Sequence, residues 1–243
     1  MLSYQEFSDL FHTIMAHNGQ GSYADEPYSR NFYELTEHML EISKTMNLTA
    51  IKEEKAIILR HYVDSLSVAD FLPENAKIID VGCGAGFPCL PLAICRPDLR
   101  ITALDSTEKR IRYVNDTAKL LNLPNLTGIS ARAEEAGRGS LREAFDAATA
   151  RAVADLPVLS ELCLPFVRQG GVFLAMKAAR APEELEKAKT AIRRLGGSVQ
   201  NTHNISLVGE EEPESRVIIE IQKTAHTPAE FPRAYAKIVK KPL

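Results

Sequence analysis

The 243-residue chain has only four cysteines, Cys83, Cys89, Cys95 and Cys163, with no CxxC pair and no histidine at ligand spacing. This excludes a structural zinc site and a disulfide framework, and it fits reduced thiols in a cytoplasmic protein that binds no metal. No apolar run approaches the roughly 20 residues of a membrane span, and Met1 to Leu10 lacks a basic region followed by an apolar core. A membrane partner and export are therefore not expected. A basic excess is missing too. The formal net charge is -3 and the pI about 6.1, so any nucleic-acid partner must be met by a local patch. The charge is unevenly placed. Residues 1–76 carry 5 Lys/Arg against 12 Asp/Glu, residues 77–222 carry 19 against 19, and residues 223–243 carry 5 against 1.

What is present divides the chain into three parts. Residues 1–72 read as a helical extension. Ser3 with Glu6 suits a capping box, Phe7, Leu10, Phe11 and Ile14 form a stripe, and further helices are expected near 29–46 and 53–69. Residues 18–33 between the first two helices carry no signal that assigns them a role. From 73 to 223, short apolar runs alternate with amphipathic stretches, the pattern of βαβ units. Strands are expected at 77–81, 100–104, 126–130, 145–150, 171–176, 198–207 and 215–222, with helices near 88–96, 107–122, 155–167 and 183–195. The last two strands, joined by a Glu-rich loop closed by Pro213, suit an antiparallel hairpin. The expected fold is thus α/β, a doubly wound, mostly parallel seven-stranded sheet with an N-terminal helical extension. A basic tail, 224–243, completes the chain.

In such a sheet a ligand sits beyond the carboxyl ends of the strands. The first strand, Lys77 to Val81, runs through Asp80 into Gly82-Cys83-Gly84-Ala85-Gly86-Phe87-Pro88. Alternating glycines allow a ligand close to the backbone, but a dinucleotide turn needs a small residue where Phe87 stands. Gly82, Gly84, Gly86 and Phe87 therefore point to a nucleoside ligand without pyrophosphate, such as S-adenosylmethionine, in a Rossmann-like class I methyltransferase core. Asp105 ends the second strand, 19 residues past Gly86, where a carboxylate can accept two ribose hydroxyls or cap the helix that follows. Ala133 and Glu134 follow the third strand, where an acid beside backbone amides can read an adenine edge or favour a helix start. Arg151 ends the fourth, where a guanidinium can meet a carboxylate or phosphate, or form a surface ion pair.

These strings, together with Asn47 to Ile51, Arg60-His61, Asp64-Ser-Leu66, Thr149 to Val153, Leu159 to Pro165, Phe231-Pro-Arg233 and Lys241-Pro-Leu243, resemble the bacterial 16S rRNA (guanine-N7) methyltransferase G family, known as RsmG or GidB. The resemblance covers the chain from about residue 38 to its end. It implies methyl transfer from S-adenosylmethionine to N7 of a guanine in 16S rRNA, with cofactor contacts at Gly82, Phe87, Asp105, Ala133, Glu134 and Arg151. The chain departs from the family in Ala234 to Val239, where a Pro- and Gly-containing turn is usual. The expected partner is 16S rRNA or the small ribosomal subunit, met by a monomer.

The absences agree with N7 as the acceptor, which has a free lone pair and loses no proton. No Asp/Asn-Pro-Pro-aromatic string for amine methylation is present, and the single Pro-Cys pair, Pro88-Cys89, lies in the glycine turn rather than after the fourth strand. No catalytic residue is assigned. Cys163, among Leu159, Leu162 and Phe166, reads as a packed thiol. A methyltransferase acting on another RNA, a small molecule or a protein remains open, as does an RNA-binding module that keeps the fold without the activity. In the tail, Arg233, Lys237, Lys240 and Lys241 are expected to contact phosphate, unless Phe231, Tyr235 and Ile238 pack it down and leave the charges facing water.

Overall fold

A computed structural model describes residues 1–178, 180–209 and 212–243. The seven strands are β1 (Lys77–Val81), β2 (Arg100–Asp105), β3 (Leu126–Ser130), β4 (Phe145–Arg151), β5 (Val167–Lys177), β6 (Gly197–Leu207) and β7 (Glu214–Lys223). They form one sheet in the order β3-β2-β1-β4-β5-β7-β6. The first five are parallel, while β7 runs antiparallel to β5 and to β6. The chain order reverses between β1 and β4, which opens a crevice beyond their carboxyl ends. Glu210 and Glu211 of the Glu-rich connection lie outside the described residues.

Among the described residues the α-helical segments are α1 (Tyr4–His17), α2 (Tyr28–Ser43), α3 (Glu54–Ile57), α4 (Asp64–Leu66), α5 (Cys89–Cys95), α6 (Glu108–Leu120), α7 (Ala133–Ala136), α8 (Leu156–Cys163), α9 (Ala181–Arg194) and α10 (Tyr235–Lys240). Ser3 and Glu6 form the capping box of α1, whose buried face is Phe7, Phe11, Ile14 and Met15. The helix expected over 53–69 is not uniform. Between α3 and α4 it winds as a π-helix, Ile58–Val63, a widening that proteins often place at functional sites and that hydrophobic periodicity does not reveal.

Two apolar clusters cover the faces of the sheet. On one side Phe7, Phe11, Phe32, Met39 and Tyr62 of the N-terminal helices are continuous with Ile78, Leu92, Ile101 and Leu174. On the other, α8, α9 and the tail pack on Ile79, Ala148, Phe173 and Ile219. At the start of residues 18–33, two side chains reach distant parts of the chain. The Asn18 side chain donates to the Val208 carbonyl at 3.0 Å and accepts from the Val208 amide at 2.8 Å, and Gln20 donates to the Val63 carbonyl.

The tail is built into the second cluster, with Phe231 and Ile238 buried. Arg233 is spent inside the fold. Its Nε and Nη2 donate to the carboxylate of Glu161, which is wholly buried on α8, the shortest contact being 2.6 Å. The expectation that Arg233 meets phosphate is therefore corrected. An acid placed on an apolar helix needs a partner, and this guanidinium supplies it.

Candidate functional site

The glycine turn is locked to the end of β2, because the amides of Gly82 and Cys83 both donate to the Leu104 carbonyl, at 2.7 and 3.1 Å. Its glycines have different jobs. Gly84 has φ +56°, and a Cβ there would meet nothing nearer than 4.0 Å, so its open side is a cradle for a ligand. A Cβ on Gly86 would fall 2.3 Å from Leu90 and 3.5 Å from Val114. The absence of a side chain at Gly86 thus lets α5 pack close against the turn.

Asp80 sits beneath the turn, fully buried, where it accepts from the Cys89 amide at 3.2 Å and the Thr149 hydroxyl at 3.1 Å. Burial outweighs these hydrogen bonds and pushes its carboxyl up to about 6 from 3.8. Between those values the folded protein holds a proton that the unfolded chain has released. The stabilisation from the neutral acid is therefore complete below about pH 4 and is lost as pH rises through about 6, by about 3 kcal/mol. Urea unfolding of wild type and Asp80→Asn at pH 4 and 7 should show the wild type losing ground to the variant by about that amount. A difference between the two proteins that does not change with pH would contradict it.

Asp105 is buried at the end of β2 with each carboxylate oxygen engaged once. Oδ2 accepts from the Gly84 amide at 3.0 Å and Oδ1 from the Thr107 amide at 2.8 Å, while Arg110 lies 3.7 Å away. Asp105 thus bonds the amide of Thr107, the N-cap of α6, without itself capping that helix, and lone pairs remain on both oxygens for a second set of donors. Asp105 faces a cavity of about 500 Å³, bounded also by Val81, Leu104, Ala131, Ala133 and Glu134. Glu134 is buried there and accepts from Arg132 Nε at 2.7 Å. A second cavity, about 980 Å³, lies beyond β1, β4 and β5 and takes in Gly82, Gly84, Phe87 and Arg151. The two cavities share Gly82, Arg110, Ala152 and Val153. They are compartments of one cleft, with Val153 standing over Gly82 between them: its Cγ2 is 2.6 Å from where a Cβ on Gly82 would lie.

The larger compartment gathers groups from distant parts of the chain. Arg151 donates to Asp64 Oδ2 at 2.8 Å and to the Arg60 carbonyl at 2.9 Å, and its guanidinium lies 5.4 Å from the centre of the Phe87 ring. Arg216 of β7 approaches the other oxygen of Asp64 at 3.5 Å. The His61 ring stacks on Phe87 at 4.5 Å and 9°, with Nε2 2.8 Å from the Thr49 hydroxyl. Burial, helped by the Arg151 charge, pushes the imidazole down to about 4, so His61 is neutral near pH 7. Lys177 closes the back of this compartment through Glu184 at 2.6 Å and the Ala154 carbonyl at 2.8 Å.

Among the residues expected from sequence, the structure places Gly82, Gly84, Phe87, Asp105, Ala133, Glu134 and Arg151 around this cleft, and Gly86 behind it. It adds His61, Asp64, Val153, Lys177 and Arg216. Asp64 had a signal, a carboxylate inside the apolar periodicity of residues 57–66, which in a buried helix demands a cation. Val153 stood only as the end of the Thr149 to Val153 string, which says nothing of its place over Gly82. Among the described residues no group of three or more His, Cys, Asp or Glu side chains is placed to hold a metal ion, and no helix is long and apolar enough to cross a membrane.

Comparison with known proteins gives one family model, described as rRNA small subunit methyltransferase G (GidB), which matches residues 29–212. A ribosomal RNA small subunit methyltransferase G of Staphylococcus aureus (strain Newman) is 42% identical over 236 residues, 96% of this chain and 97% of the relative. Its counterpart in Bacillus licheniformis is 47% identical over 201 residues, 81% of this chain and 83% of the relative. Among solved structures, M. jannaschii TYW2 in complex with AdoMet aligns with a TM-score of 0.53 at 17% identity, covering 66% of this chain and 74% of that one. That last likeness concerns the fold.

Proposed function

Since this chain belongs to the rRNA small subunit methyltransferase G family, we propose that it transfers a methyl group from S-adenosylmethionine to N7 of a guanine in 16S rRNA. The observation that carries the reading is the two-compartment cleft at the carboxyl ends of β1 to β4, in a chain so similar to small-subunit rRNA methyltransferases. Its residues fit the cofactor. The open side of Gly84 admits a ligand against the backbone, and the lone pairs left on Asp105 suit two ribose hydroxyls. Buried Glu134, next to Ala133, can accept from an adenine amine. Arg151 lies in the larger compartment, where the methionine end would extend past Gly82 and Val153.

When bound, the cofactor supplies an electrophilic methyl group on a sulfonium. The chain's part is to position. Guanine N7 brings its own lone pair, so no side chain need remove a proton, and neutral His61 adds no charge beside the reacting centre. Holding nucleophile and methyl group in line is the main contribution, and alignment of this kind is worth several kcal/mol of barrier. On this reading the protein acts in the cytoplasm, as a monomer.

The test is methyl transfer from labelled S-adenosylmethionine to purified small ribosomal subunits that lack the modification, followed by nucleoside analysis. Label in 7-methylguanosine of 16S rRNA is expected. Label in another nucleoside would overturn the choice of N7, and transfer to small molecules or proteins alone would overturn the rRNA reading.

A further inference from the structure

We propose that Tyr235 and Arg132 form a stacking platform for an unpaired base of the RNA substrate, flanked by Lys237, Lys240 and Lys241, which follow its backbone. The inference rests on the rRNA reading above and adds a place on the surface where the strand beside the target guanine is held.

Among the described residues Tyr235 is the one large aromatic more than a third exposed, at 41%. A single exposed ring is ordinary on a protein surface, so its surroundings decide. The guanidinium of Arg132 lies over the ring, 5.2 Å from its centre. Aromatic faces and guanidinium planes are the groups on which splayed RNA bases stack. Tyr235 also stands at a junction. It lines the mouth of the Asp105 compartment and, with Pro157, Val158, Val239 and Pro242, an adjoining groove of about 510 Å³. A base on this platform would lie directly beside the cleft.

The exposure is not that of a loose chain end. Tyr235 begins α10, two residues past Arg233, whose ion pair with buried Glu161 fixes the segment, and Ile238 on the same helix is fully buried. The lysines point to a polyanion. Of the five cations in residues 223–243, Lys223 is buried and Arg233 is paired, whereas Lys237, Lys240 and Lys241 are exposed and make no ion pair among the described residues. Three unpaired cations beside an open ring are the charge pattern of a single-strand site, in which phosphates meet lysine and bases meet aromatic faces.

The experiment compares wild type, Tyr235→Ala, Tyr235→Leu, Tyr235→Phe and a triple lysine-to-alanine variant at 237, 240 and 241. Binding to purified small ribosomal subunits, binding of S-adenosylmethionine, and melting temperature are measured for each. Tyr235→Ala and Tyr235→Leu should weaken subunit binding about 5- to 150-fold, well beyond any loss of cofactor affinity, with Tyr235→Phe close to wild type in both. Leucine keeps the bulk without the aromatic face, so it reads stacking even if alanine disturbs the fold. The triple variant should flatten the salt dependence of binding by about 2 in log–log slope. Weaker cofactor binding with unchanged subunit binding would overturn the proposal and place the ring over the adenine. Unchanged subunit binding by Tyr235→Leu would also overturn it. Wild type that binds subunits through Tyr235 but methylates no rRNA would instead count against the rRNA methylation reading and leave the platform standing.

Discussion

Replacing Arg233 by alanine is expected to destabilise the protein by about 3–5 kcal/mol, the range for removing one partner of a buried ion pair. Both oxygens of Glu161 depend on this residue. Oε1 accepts from the Arg233 amide and Nε at 2.8 Å each, and Oε2 accepts from Nη2 at 2.6 Å. Only the amide survives the substitution, and Glu161 lies at zero exposure among Leu159, Leu162 and Cys163. In a chain of this size that loss lowers the melting temperature by about 6–20 °C. The double variant Glu161→Gln/Arg233→Met, which removes both charges, should recover most of the stability. Urea unfolding of the three proteins checks both claims, and a single-variant loss under about 1 kcal/mol would show that Glu161 finds water or another donor. Because α10 follows Arg233, the variant should also weaken RNA binding through loss of position at Tyr235 and the lysines, without loss of their charge.

Asp105→Ala should weaken S-adenosylmethionine binding by at least about a hundredfold. Each hydrogen bond to a charged acceptor is worth about 1.5–3 kcal/mol, and two ribose hydroxyls would lose theirs. A second effect adds to this. The same carboxylate joins the Gly84 amide to the Thr107 amide, so it holds the glycine turn against the start of α6. Asp105→Asn separates the two roles, since the amide keeps one acceptor oxygen and the side-chain bulk but not the charge. If Asp105 binds ribose, Asn should retain more affinity than Ala, and affinity for a 2′,3′-dideoxy cofactor analogue should fall only by the part that comes from loosening the turn, less than affinity for the cofactor falls. Calorimetric titration measures all four combinations. An alanine variant within twofold of wild type would remove Asp105 from the binding site and leave it a tie between the Gly84 and Thr107 amides.

Much of the architecture was legible residue by residue. The capping box at Ser3 and Glu6, the seven strands and the antiparallel ending all depend on local pattern, and the structure has them in place. The placing of Gly82, Gly84, Asp105, Glu134 and Arg151 along one cleft was legible too, because parallel strands must deliver their carboxyl ends to the same edge. Two positions show the limit of residue type. Gly86 and Arg233 carry the residue types of ligand sites, yet Gly86 faces Leu90 and Arg233 faces Glu161. Residue type shows what a group can bind, whereas packing determines which partner reaches it first.

The sequence by itself determined the parallel sheet, the glycine turn and the acids at the strand ends, because hydrophobic period, backbone freedom and strand polarity act within a few residues of one another. Only the tertiary structure decided how the cleft is finished. Asp64 meets Arg151 across 87 residues, Arg216 reaches the same carboxylate from β7, Val153 divides the cavity above Gly82, and Tyr235 is brought to its mouth by an ion pair spanning 72 residues. Such contacts have no local signature. Each exists because a buried charge or a packed face requires a partner, and the closing of the whole chain determines which residue can supply it.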